Sequence, residues 1–115
     1  MTTFEPGEVV LLRFPFTDLH SSKKRPALVV SPLPFQLTCQ DVVVLALTSQ
    51  SQMEAKLALR HWQSARLLKP TWIKPLVATI AIEVVDRSIG KLDERDHPSV
   101  VAALRQLFAP PYWGP

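Results

Sequence analysis

Apolar residues in this chain come in short blocks, each closed by turn-forming residues, which is the pattern of strands joined by tight connections. Val9 to Leu12 open a nearly continuous apolar run that reaches Phe16 and ends in the polar stretch from Asp18 to Ser22. Ala27 to Val30 reads as a second strand, bounded by Pro26 before it and by Pro32 and Pro34 after it. Asp41 to Thr48 reads as a third. Its Val-Val-Val-Leu-Ala-Leu centre leaves no polar face, so burial on both sides is expected. Trp72 to Val85, with β-branched Thr79, Ile80 and Ile82, reads as two more strands, and the polar segment from Gln50 to Lys56 as loop.

Helical spacing is convincing only near the C-terminus, where Val100, Val101, Leu104, Leu107 and Phe108 recur on one face. Asp96 is placed to cap this helix, Pro98 suits its first turn, and Pro110 and Pro111 forbid its continuation. Short strands, prolines and one terminal helix predict a mainly β fold, a small and mostly antiparallel barrel with a C-terminal α-helix. A length of 115 residues suits one domain. Within it the barrel is expected over about 5–92 and the helix over about 97–108.

Composition narrows the chemistry. Hydrophobic residues make up 47% of the chain, well beyond a disordered composition. The single cysteine, Cys39, has no internal partner, which fits a reducing cytoplasm rather than a disulfide scaffold. The N-terminal stretch to Gly7 is polar, so no signal peptide is expected. The longest apolar run, Val42 to Leu47, is too short to span a bilayer, and no membrane association is expected. With 3 glycines a Gly-rich phosphate loop is not available. His20, His61 and His97 are widely separated, so no metal site and no cofactor are expected. Charge placement says more than the net charge of +3. Lys23, Lys24 and Arg25 lie in one acid-free stretch, and Lys56, Arg60, Arg66, Lys69 and Lys74 lie in another. Should the two stretches share a face, they would form a cationic footprint for a polyanion.

Two segments carry a resemblance. One runs Gly7-Glu8-Val9-Val10-Leu11-Leu12, then Phe14-Pro15-Phe16-Thr17-Asp18, a polar loop, and Lys23-Lys24-Arg25-Pro26-Ala27-Leu28-Val29-Val30-Ser31. The other runs Asp41-Val42-Val43-Val44-Leu45-Ala46-Leu47-Thr48-Ser49-Gln50. Together they resemble the MazF/PemK family of toxin ribonucleases. Leu67-Leu68-Lys69-Pro70-Thr71 and Ile89-Gly90-Lys91-Leu92 are similar to its PemK-like branch. The resemblance implies an SH3-like barrel, a homodimer and a small acidic antitoxin partner. It also implies cofactor-free, sequence-selective cleavage of single-stranded RNA, leaving a cyclic phosphate and a 5′-hydroxyl. Arg66 stands where the branch often has glycine, which argues against a tight turn there; His61 and Pro75 also depart from its pattern.

RNA cleavage through its own 2′-hydroxyl needs no protein nucleophile, only positioning, charge stabilisation and proton traffic. Arg25 has the donor fork that suits a phosphate, and Thr48 has a hydroxyl to donate to a non-bridging oxygen. These two are the expected catalytic pair. Lys23, Lys24, Ser49 and Gln50 are expected to bind RNA. His20 has two readings, a proton shuttle or a solvated loop residue. Trp62 and Trp72 have two as well, base stacking or packing. A different class of function stays open: a barrel similar to the CcdB gyrase poisons would act through the last helix and the tail Ala109-Pro110-Pro111-Tyr112-Trp113. An inactive barrel that binds RNA or a partner is the third alternative.

Overall fold

The computed structural model describes residues 2–13, 23–51 and 53–108. Six strands form one antiparallel sheet: β1 (Glu8–Leu12), β2 (Arg25–Val29), β3 (Asp41–Thr48), β4 (Ala58–Leu59), β5 (Thr71–Ala81) and β6 (Arg87–Lys91). Their spatial order is β4-β5-β3-β2-β1-β6. Two helices join them, α1 (Leu33–Cys39) and α2 (His97–Leu107). The mainly β fold with a C-terminal helix is therefore as the sequence predicts. The sheet curls into a half-barrel in which β6 packs closely against the turn that follows β4. A Cβ placed on Gly90 of β6 would lie 2.1 Å from the carbonyl oxygen of Ala65, in the turn that follows β4. Only glycine lets these two backbones approach so closely.

Alternation sorts the strands' side chains onto two faces. Val10, Leu12, Ala27, Val29, Val42, Val44, Ala46, Ala78 and Ile80 pack on one face with Phe4. Val9, Leu28, Leu45, Leu47 and Ile73 pack on the other, where Ala103 of α2 and its neighbours cover them. β3 is buried on both sides because helix and loops cover one face while the curl closes the other. Trp62 packs on the helix-side cluster, which favours packing for this residue.

Four local features differ from the sequence reading. Pro32 and Pro34 do not merely end β2: Pro32 is the N-cap of α1 and Pro34 sits in its first turn, where a missing N–H costs nothing. The Trp72–Val85 region is one long strand, β5, followed by a 3₁₀ turn at Ile82–Val84, rather than two strands. Asp96 sits at the N-cap of α2 but makes no capping hydrogen bond. Its buried carboxylate instead accepts from the backbone N–H groups of Arg60 and His61, both at 2.9 Å, tying the turn after β4 to the helix. The tight turn at Arg66 does form. Leu67 N–H donates to the Trp62 carbonyl at 3.2 Å and Arg66 N–H to Gln63 at 3.0 Å, with Arg66 at φ 63°. This is the Schellman arrangement, with Arg66 in the left-handed position that usually holds glycine.

A buried side chain anchors the N-terminal arm. The Gln36 carboxamide accepts from Phe4 N–H at 2.8 Å and donates to the carbonyls of Phe4 at 2.6 Å and Ser31 at 3.1 Å. All three bonds are to backbone, so one amide satisfies polar groups that burial would otherwise leave unpaired.

Candidate active site

The β2–β3 register pairs Ala27 with Ala46, Leu28 with Leu45 and Val29 with Val44. Continued by two places, it sets Arg25 across from Thr48, on the same face as Ala27 and Ala46. Arg25 opens β2 and Thr48 closes β3, so both side chains stand at the mouth of the sheet rather than in its core. They line one hollow of about 170 Å³ together with Pro26, Ala46, Leu47, Gln50 and Lys74.

A deformation of β5 brings Lys74 there. Leu45 pairs with Val77 and Leu47 with Ile73, so Lys74, Pro75 and Leu76 stand against the single residue Ala46. Such a bulge is where a proline is tolerated within a strand, and it re-aims the side chains beside it. Lys74 was not legible as a site residue from spacing, because extra residues in a strand are visible only once the partner's register is known.

The chemistry of the hollow is cationic and donor-rich. Arg25 and Lys74, one from each acid-free stretch of the sequence, are both exposed, and among the described residues no carboxylate lines the hollow. Among the described residues neither cation has an acid within ion-pair distance. Thr48 Oγ1 accepts the Gln50 N–H at 3.2 Å, which orients the hydroxyl and leaves its proton to donate. Among the described residues no histidine lines the hollow.

The remaining expected site residues fall elsewhere. Lys24 is exposed and pairs with Asp86 at 3.0 Å, beside Arg13 and Glu83 in a separate hollow. Lys23 and Ser49 are exposed and do not line the Arg25 hollow. Trp72 stands opposite Thr48 in the β3–β5 register, half-buried, without lining the hollow. His20 and the tail 109–115, on which the gyrase-poison alternative depends, lie outside the described residues. Size alone would have selected a different cleft of about 910 Å³. Glu8, Asp41, Glu83 and Asp86 line that cleft with Arg87 as its one cation among the described residues, and the net negative charge disfavours a phosphate.

Among the described residues no three His, Cys, Asp or Glu side chains gather as a metal site would need, and no helix is long and apolar enough to cross a membrane. The model of the PemK-like, MazF-like toxins of type II toxin–antitoxin systems matches residues 5–108. The chain belongs to this family.

Solved MazF-type structures share the toxin's fold. An endoribonuclease in complex with its cognate antitoxin, from a mycobacterial species, superposes with a TM-score of 0.72 at 16% identity, covering 99% of this chain and 100% of that one. The MazE–MazF complex of Deinococcus radiodurans gives 0.71 at 15% identity, covering 95% and 98%. The Mycobacterium tuberculosis toxin MazF-mt6 gives 0.67 at 17% identity, covering 86% and 93%. No curated protein matches the toxin by sequence. At such identities the likeness establishes the architecture, and the chemistry has to be argued from the toxin's own side chains.

Proposed function

We propose that this toxin is a sequence-selective endoribonuclease that cuts single-stranded RNA through the substrate's own 2′-hydroxyl, without metal. The observation that carries the reading is the sharing of one cationic hollow, without an acid among its described residues, by Arg25 and Thr48 in a chain of this toxin family. In the reaction the 2′-oxygen attacks phosphorus and gives up its proton. The bond from phosphorus to the 5′-oxygen breaks, and that oxygen gains a proton, leaving a cyclic phosphate and a 5′-hydroxyl. Charge builds on the non-bridging oxygens as the phosphorane forms. The role of Arg25 is electrostatic: the parallel N–H donors of its guanidinium meet the charge where it develops. Thr48 donates to the same group, and Gln50 holds the flanking strand.

The wider assignment follows the same chemistry. The toxin would act in the cytoplasm on messenger RNA, as a homodimer restrained by a small acidic antitoxin; solved MazF-type relatives are seen with their antitoxins. A carboxylate-rich segment suits the hollow that suits phosphate.

The test is cleavage of an unstructured RNA in EDTA, with end analysis for the cyclic phosphate. Arg25→Ala is expected to keep the wild-type melting temperature and to lose cleavage by about 10²–10³, the usual effect of removing one preorganised donor. An unchanged rate in that variant overturns the proposal.

A further inference from the structure

Lys74 faces two hollows. Besides the one it shares with Arg25 and Thr48, it lines an adjoining depression of about 310 Å³ with Met53, Glu54, Leu57, Pro75 and Gln106. The two differ in chemistry. Among the described residues the first has two cations and no acid. The second has apolar walls from Met53, Leu57 and Pro75 and one polar edge, where Gln106 Nε2 donates to Glu54 Oε1 across 3.4 Å. The other Glu54 oxygen lies 3.3 Å from Lys56 Nζ. A carboxylate at that edge repels a phosphate, whereas apolar walls with a carboxylate and an amide at one side suit the flat face and hydrogen-bonding edge of a nucleobase.

From this juxtaposition, and resting on the nuclease reading above, we propose that the depression is the subsite for the nucleotide next to the scissile phosphate. Lys74 grips the phosphate that joins the two positions. The base lies against Met53, Leu57 and Pro75. Gln106, at the end of α2, reads its edge. A long 3.4 Å bond is weak and readily exchanged for one to a base. The freed amide then offers a donor and an acceptor side by side, the pair that glutamine uses on adenine. Specificity at this position thus comes from the C-terminal helix rather than from a loop beside the catalytic pair.

The experiment uses the full chain and two probes. One is a pool of short RNAs with randomised bases, whose cleaved ends are sequenced. The other is a single RNA made uncleavable by a 2′-deoxy sugar at the scissile position, whose binding is followed against salt. Gln106→Leu is expected to flatten base preference by about tenfold at one position adjacent to the cut and nowhere else. Lys74→Ala is expected to leave base preference intact and to reduce the slope of log affinity against log salt by about 0.7, the loss of one phosphate contact on a single strand. Melting curves check that both variants are folded. A wild-type base profile in Gln106→Leu, or an unchanged salt slope in Lys74→Ala, overturns the subsite even where the wild type cuts RNA and Arg25→Ala does not. A wild type that fails to cut overturns the nuclease reading instead. The uncleavable RNA, synthesised with each base in turn at that position, then still decides the roles of Lys74 and Gln106.

Discussion

Replacing Gly90 by alanine tests how the curled sheet is closed. The added Cβ would meet the Ala65 carbonyl oxygen at 2.1 Å and its carbon at 2.8 Å. Both are backbone atoms, and Ala65 is fully buried, so no flexible side-chain end can swing aside. Relief requires β6 and the turn after β4 to separate by about 1 Å. Overpacking of this kind costs typically 1–3 kcal/mol, and a clash with backbone belongs at the upper end. Unfolding entropy of about 2.1 cal/mol/K per residue gives roughly 0.24 kcal/mol/K for a chain of this length, so a loss of about 3 kcal/mol lowers Tm by about 12 °C. Thermal melting followed by circular dichroism reads this directly, and urea midpoints at 25 °C provide the second measurement. A melting temperature within a degree or two of wild type would refute the argument that glycine is required where β6 meets the turn after β4.

Two further outcomes follow from local geometry. Arg66 is exposed and holds φ 63° at the end of its turn, so Arg66→Gly should relieve left-handed strain and stabilise by about 0.5–1 kcal/mol, seen as a Tm raised by a few degrees; a lower Tm would contradict the strain. The Arg95 side chain and backbone N–H hold the Asp93 carboxyl well below the ordinary carboxylate range, so its contribution is present above that range and is lost as pH falls through the lowered value. Any stability gap between wild type and Asp93→Ala should therefore be constant above about pH 5 and narrow progressively in stronger acid, whereas a gap already closed at about pH 5 would contradict it.

The parts of this fold that could be read along the chain are those whose signals are local. The apolar run of β3 and the spacing of α2 follow from side chains within one element, whereas the choice of Arg25 and Thr48 rests on the family resemblance of the segments that hold them. What escaped depends on other elements. Lys74 enters the hollow because β5 carries extra residues against Ala46, a fact of register and not of spacing. Asp96 has the residue type of a cap, but the nearest unsatisfied donors lie on Arg60 and His61, far away in sequence, and they claim its carboxylate. Lys24 looked equivalent to Arg25, yet successive residues of an extended chain point to opposite sides, and Asp86 waits on the other side. Arg66 shows the converse: residue type argued against a turn that the surrounding hydrogen bonds and the Trp62–Leu67 packing are strong enough to impose.

The brevity of β4 has a consequence for the behaviour of the protein in concentrated solution. Two residues cover only the start of β5, and the rest of its outer margin has no ladder partner among the described residues. An uncovered margin invites extended segments of other molecules to add on and seed fibres. Pro75 falls within that margin and deprives it of an amide, while Lys74 adds a charge that successive copies would have to stack. The bulge that shapes the hollow thus also guards the chain against self-templated aggregation.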